Sequence, residues 1–299
     1  MYMIGYLSFV LGKLFIVNFI VIKMIKGGDV AAVDLGGTNL RVGLVRRDKI
    51  IKFIRKPTPK DKNGLLNMIC DLISEIRDGK VKGIGIGAPG PLRNGIVINP
   101  PNIPLKNFNL KKYIQKEFGI KCEVENDAKC AALAELRLGY GKGKRNFFVL
   151  TLGTGIGGGV VIDGKLYNKG DIGGELGSIY ISENNTFEEL ASIKYIRKIS
   201  LEKFGREINF TDLMKIKDRE AKEIIDDVSS ALARGIGSLI NVFNPEIVVL
   251  AGGMRESGEE FLNVVRKKSE QYIFLPKKYD IVWSRLEEPG LLGAGLLVD

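Results

Sequence analysis

The chain has 299 residues, 45% hydrophobic and 27% charged, with a formal net charge of +10 and no histidine. That size and balance suit a globular protein with room for two cores. The missing histidine excludes a Ser-His-Asp triad, a histidine general base and histidine metal ligands.

In chain order, residues 1–22 are nearly all apolar, broken by Lys13 and Asn18 and followed by Lys23 and Lys26. The stretch is long enough to cross a bilayer, but a lysine near its middle costs on the order of 3 kcal/mol. No small-residue cleavage site ends it. We favour translation from Met24, or an extension without function, over a membrane anchor or an extra packed helix.

Residues 30–33 read as a buried strand and 40–45 as its hairpin partner. Asp34, Gly36, Gly37, Thr38 and Asn39 lie between them. Glycines at such a tip let the backbone approach a ligand with its N–H groups outward, which is how a phosphate is held. Asp34 ends the strand within reach of a metal ion on that phosphate. The plain alternative is a glycine turn with a solvated aspartate. Residues 147–163 repeat the design: an apolar strand, Gly153-Thr154-Gly155, then a partner strand over 156–162. The repeat predicts two similar lobes whose hairpins grip a nucleoside triphosphate across a cleft.

Between the hairpins, residues 50–55 read as a strand, 63–77 as a helix and 81–88 as a glycine-spotted strand. Three strands, a helix and a strand depart from simple β-α alternation and predict an antiparallel set joined to parallel strands. The loops 87–92 and 98–104 are proline-rich, and Asn99 and Asn102 are polar handles on the second. A helix over 110–118 and a strand over 121–125 lead into Asn126-Asp127 and an Ala/Leu-rich helix over 128–138. The pair reads as a helix N-cap. The competing reading is a carboxylate at a strand's C-terminal end, placed to take a proton from a substrate hydroxyl. Residues 142–145 are a basic link.

Beyond the second hairpin, Glu175 stands among glycines and Glu188 at the start of a helix, and each is a weak signal alone. Helices are predicted over 210–213 and 221–241, a buried strand over 246–250, and a helix from about 259. Gly252-Gly253 at that strand's end could offer N–H groups to the adenosine end of a nucleotide. A strand over 279–283 and a small-residue helix over 290–297 close the chain. Cys70, Cys122 and Cys130 lack zinc-type spacing and suggest reduced, buried cytoplasmic thiols. The lysines are scattered without interleaved aromatics, which suits a solvated surface and argues against nucleic acid as a partner.

Taken together, DLGGTNLRVGL, GIGAPGPL, NPPN, END, LGTGIGGG, GGELG and AGG stand in order from Asp34 to Gly253. The chain from Asp29 onward thereby resembles the ROK family of sugar kinases, within the actin/hexokinase/Hsp70 superfamily. The resemblance implies an α/β fold of two RNase H-like lobes with the active site between them. The small lobe would span 29–122 and the large lobe 123–287, after an extension of 1–28, with a terminal helix over 288–299 packing back on the small lobe. It implies ATP and Mg²⁺ as cosubstrate and cofactor, and a hexose as the phosphoryl acceptor. Asp127 would be the general base for the sugar 6-hydroxyl. Gly90, Asn102, Asn126, Glu175 and Glu188 would bind the sugar. Asp34, Gly36, Gly37, Thr38, Asn39, Arg41, Gly153, Thr154 and Gly155 would serve the phosphates, with Asp34 positioning Mg²⁺ through water. Gly252, Gly253 and Met254 would border the adenosine.

Departures from the pattern matter too. Most bacterial members read ELGH followed by a Cys-rich zinc loop. Here Ser178 takes the histidine position and Asn184-Asn185-Thr186 the loop, so no structural zinc is expected. The pattern is similar to archaeal members, which tend to accept several hexoses, so glucose, mannose and amino or N-acetylated sugars are all expected substrates. Family repressors carry a helix-turn-helix that the short apolar head cannot form. The expected protein is a cytoplasmic homo-oligomer, a dimer or tetramer. The rival readings are a sugar-binding regulator on the same scaffold, and an actin-like or chaperone ATPase without a sugar.

Overall fold

Two runs of apolar alternation become two five-stranded sheets of the same order. The computed structural model describes residues 28–167 and 172–298, so the apolar head and the question of Met24 lie outside it. The first run comprises β1 (Asp29–Leu35), β2 (Asn39–Arg46), β3 (Lys49–Pro57), α1 (Lys62–Ile76) and β4 (Val81–Ala88). Three short strands follow, β5 (Leu92–Arg93), β6 (Ile96–Val97) and β7 (Phe108–Asn109), then α2 (Leu110–Phe118), β8 (Lys121–Asn126) and α3 (Asp127–Leu138). The second run begins with β9 (Phe147–Leu152), β10 (Ile156–Ile162) and β11 (Lys165–Leu166). It continues with α4 (Phe187–Ala191), α5 (Ile193–Phe204), α6 (Phe210–Leu213) and α7 (Arg219–Phe243). It ends with β12 (Ile247–Ala251), α8 (Gly258–Ser269), β13 (Ile281–Trp283) and α9 (Pro289–Leu296).

The first sheet runs β3-β2-β1-β4-β8 and the second β11-β10-β9-β12-β13. In each, the first three strands are antiparallel and the last two parallel. This is the antiparallel set joined to parallel strands that the element order predicts. The proline loops carry a small third sheet, β5-β6-β7, that the sequence reading did not contain.

Helix periodicity decides which faces the sheets cover. Leu65, Leu66, Ile69, Leu72, Ile73 and Ile76 line one face of α1 and are buried. Each such side chain contributes about 1.5–3 kcal/mol on full burial. The Asp61 carboxylate caps the helix by accepting the Gly64 N–H at 2.7 Å. An aspartate at Ile69 would strand a charge in that core. The second core is larger, drawing Phe148, Phe187, Phe210 and Phe261 together with the buried face of α7.

α5 falls where the sequence reading placed no helix. Its period was present in Ile193, Ile196 and Ile199, after the Ser192 N-cap.

Two helices join the sheets. α3 packs on β9 and β10, α9 packs on β1 and β4, and α3 and α9 pack on each other. Their crossing needs Gly293, because a Cβ there would collide with the Cys130 backbone. Cys122 and Cys130 are buried free thiols, and Cys70 is half-buried, more open than expected. Among the described residues no helix is long and apolar enough to cross a membrane.

Candidate active site

The two glycine tips touch. Thr38 Oγ1 of the first hairpin lies 3.4 Å from Thr154 Oγ1 of the second, across 116 residues of chain.

Each tip closes on itself before it offers anything outward. Gly36 N–H donates to the Asn39 carbonyl at 3.0 Å, and Gly153 N–H to the Gly155 carbonyl at 2.9 Å. Those two N–H groups are therefore engaged within the tips. The N–H groups of Gly37, Thr38 and Thr154 carry no protein partner among the described residues. They are the donors an anion can use.

The tip carbonyls are held from behind. Buried Thr58 donates its hydroxyl to the Gly36 carbonyl at 2.6 Å, and its N–H reaches the Thr38 carbonyl at 3.0 Å. Lys60 Nζ reaches the Gly37 carbonyl at 3.0 Å. At the second tip the first N–H groups of α5 take the same part. Ile193 N–H donates to Gly153 O at 2.9 Å and Lys194 N–H to Thr154 O at 3.3 Å. Sequence reasoning missed both straps. The only available signal for the first was a threonine set between Pro57 and Pro59.

Asp34 ends β1 with its carboxylate largely buried. Arg41, its cross-strand partner, donates to Asp34 Oδ2 at 3.1 Å. The Arg41 Nε, buried, lies 3.3 Å from Glu288 Oε2 without hydrogen-bond alignment. Arg41 is thus turned to two carboxylates and steadies Asp34. Burial pushes the Asp34 carboxyl up, and Arg41 pulls it part of the way back. Glu288 is a site neighbour that sequence reasoning did not find.

β8 delivers Asn126 and Asp127 to the start of α3. Asn126 Oδ1 accepts the N–H groups of Ala128 at 3.0 Å and Lys129 at 3.1 Å. Its Nδ2 donates to the Gly90 carbonyl at 3.3 Å. The N-cap reading of Asn126 is therefore what the structure holds, and its side chain is engaged by protein at both ends. Asp127 Oδ1 accepts the Ala128 N–H at 2.8 Å. The Asp127 carboxyl is pushed up to about 7, first by burial, then by the charge of Asp34, with a smaller push from Glu175. A carboxylate of that kind is half-ready to take a proton near neutrality.

The remaining polar residues of the candidate site brace the loops and the second hairpin. Gly90 and Asn102 both have positive φ, 84° and 65°. Asn102 Cβ sits 2.8 Å from where a Cβ on Gly37 would stand, which brings the loop at 98–104 against the first tip. Glu188 Oε2 accepts the Ile156 N–H at 2.8 Å, so this glutamate also braces the second hairpin. Burial pushes the Glu175 carboxyl up; Lys129 opposes the shift and Glu188 adds to it.

The third glycine pair is less direct than a strand–helix join. Gly252 has φ 93°, a 3-10 turn occupies Gly253–Ser257, and α8 begins only at Gly258. Gly252 and Gly253 are exposed, but Met254 is fully buried in the second core. Its side chain packs inward, into the apolar core. Only the glycine pair remains exposed.

Among the described residues no cluster of three His, Cys, Asp or Glu side chains forms a metal cage. Magnesium does not require one, since it keeps waters and takes one or two carboxylates with phosphate oxygens. Asp34 beside the N–H groups of the first tip is a donor of that kind. Where the resemblance sets a zinc loop, Ser182 and Asn185 form a turn, and Thr186 and Glu189 form a reciprocal capping box.

The family model for ROK matches residues 30–299. A glucokinase of Thermotoga maritima is 36% identical, over 89% of this chain and 96% of its own. A crystal structure of a ROK family glucokinase from Streptomyces griseus, in complex with glucose and AMPPNP, superposes with a TM-score of 0.83. It is 26% identical and covers 90% of this chain and 99% of that one. The ROK hexokinase of Thermus thermophilus gives a TM-score of 0.75 at 29% identity, covering 90% and 97% of the two chains. The two like-ordered sheets are those of the actin-like ATPase fold, and the chain belongs to the ROK family.

Proposed function

We propose that this protein transfers the terminal phosphoryl group of ATP to the 6-hydroxyl of an aldohexose, giving hexose 6-phosphate and ADP. Its standing as a hexokinase-type kinase follows from the ROK glucokinases it matches over most of its length. The finer reading rests on one observation: the two glycine tips meet beside the helix whose first residue is Asp127.

In this reading Asp127 accepts the proton of the 6-hydroxyl as the oxygen attacks phosphorus. Its raised affinity for a proton suits that task, and the first turn of α3 holds the carboxyl in place. The N–H groups of Gly37, Thr38 and Thr154 bind phosphate oxygens and carry the charge that develops on them. Asn102, Glu175 and Glu188 accept and donate to the sugar hydroxyls. Asn126 shapes this wall through Gly90 while it caps α3. The backbone of Gly252 and Gly253 faces the adenosine. Asp34 suits a magnesium ion, which when bound neutralises phosphate charge. Substrates pressed between two lobes are shielded from water that would otherwise hydrolyse ATP.

Broad hexose scope is supported by Ser178 in place of a histidine, because one donor to the sugar is then missing. We place the enzyme in the cytoplasm, where ATP and free thiols coexist, as a dimer or tetramer on the family resemblance. The test is ADP release by the purified protein with glucose, mannose, glucosamine and N-acetylglucosamine in turn. Sugar-dependent release is expected. Sugar binding without release would favour a regulator, and release without sugar an actin-like ATPase.

A further inference from the structure

Lysine is almost never buried without partners, and a cation in the first turn of a helix opposes the helix dipole. Lys129 is buried all the same, with Glu125 beside it, and its charge stands where the helix dipole disfavours it. It is 2% exposed and lies in the first turn of α3, two residues past Asp127. Positions that break a local rule mark functional sites more often than chance packing.

The surroundings say which function. Lys129 Nζ lies 3.9 Å from Glu125 Oε1, and that same oxygen accepts the Asn126 N–H at 2.8 Å. Lys129 Cε lies 3.9 Å from where a Cβ on Gly174 would stand. Gly174 has φ 93°, a bend that turns the chain into Glu175. The stem of the lysine therefore supports the glycine loop, and its charge sits between the carboxylates of β8 and of that loop.

We propose that Lys129 is a positioning residue, which fixes the Gly174–Glu175 loop against α3 so that the Glu175 carboxylate faces the hexose. This rests on the sugar-kinase reading above and adds the residue that sets sugar affinity from behind. Lys129 touches neither reacting atom; it acts through Glu175. The charged groups facing Glu175 are Lys129 and Asp127 from α3 and Glu188 from α4. Of these only Lys129 favours the ionised form, which is the form that accepts two hydroxyl hydrogens.

The test uses the full-length protein, with glucose binding by calorimetry and steady-state kinetics. Lys129→Met is expected to raise the glucose Kd and KM about tenfold, the weight of a charge-assisted contact. The changes in kcat and in the KM for ATP should stay below about threefold. The pH below which glucose binding fails should move upward, because the group opposing the rise at Glu175 is gone. Lys129→Arg should restore most of the affinity. Lys129→Met also leaves Glu125 without that cation, so the double variant Lys129→Met/Glu125→Gln spares the fold and should show the same sugar defect. Unchanged glucose affinity in either folded variant overturns the inference, as does an equal loss for sugar and nucleotide. Wild-type protein that turns over no hexose would instead overturn the parent reading.

Discussion

The two hairpins occupy matching places in matching sheets, yet they are chemically unequal. In the first, Asp34 pairs with Arg41 next to the tip; in the second, Thr151 pairs with Gly157 at the same ladder position. The first hairpin keeps a partly buried ion pair. The second has neither charge, with a threonine and a glycine at those places. A Cβ on Gly157 would lie 2.7 Å from Ala128 Cβ, so its absence is what lets α3 lie against β10. One hairpin therefore carries an ion pair, and its counterpart makes room for the helix that begins at Asp127. The straps differ in the same spirit: a threonine between prolines holds the first tip, and a helix N-terminus holds the second.

The comparison can be broken most sharply at Asp127. Asp127→Asn should lower kcat by about 10²–10⁴-fold, the usual worth of a general base, with ATP binding by calorimetry nearly unchanged. Full turnover in that variant would remove the base from α3. Asp34→Asn should cost about 10²–10³-fold and raise the magnesium concentration needed for half-activity; Thr151→Asn, at the matching place, should not change the magnesium requirement. An equal magnesium effect at both positions would erase the distinction between the tips.

Gly157→Val tests the packing half of the contrast. It should push α3 from β10, lowering kcat by about a hundredfold, since small misplacements of a reacting group are costly. Stability should fall by about 1–3 kcal/mol in urea titration. A variant with native kcat would show that the close approach is incidental. The pH profile is next in size. With the Asp127 carboxyl pushed up to about 7, kcat/KM for glucose should fall about tenfold per unit as pH drops below that point. The base works only when ionised, so the loss lies on the acid side. Asp34→Asn removes a like charge, and the midpoint should then move to lower pH. Smallest is Thr154→Ala, which should raise the KM for ATP about fivefold by removing one hydroxyl at the tips.

How much of this was legible beforehand varies with range in the chain. β4, β10, α2 and α6 match the predicted bounds residue for residue, because alternation or helical period is strong within each. The Asn126–Asp127 pair reads in the sequence as a cap or as a base; the structure holds the cap at Asn126, and burial raises the Asp127 carboxyl. Arg41 and Met254 stand next to glycine motifs in the sequence, and the structure turns Arg41 to Asp34 and buries Met254. A buried acid captured the first and an apolar core the second. α5 carries isoleucines that recur every three residues, a period short enough to be masked by the charged residues between them.

By itself the sequence determined the duplicated strand–glycine–strand design, the carboxylates available to it and the exclusion of histidine chemistry. These follow from local periodicity and residue type, which each stretch carries on its own. Only tertiary structure decided that Thr38 meets Thr154, that Arg41 pairs with Asp34 and that Lys129 is buried. Such contacts join residues up to 116 positions apart. They depend on how α3 and α9 cross between the sheets, and packing of that kind leaves no period in the chain.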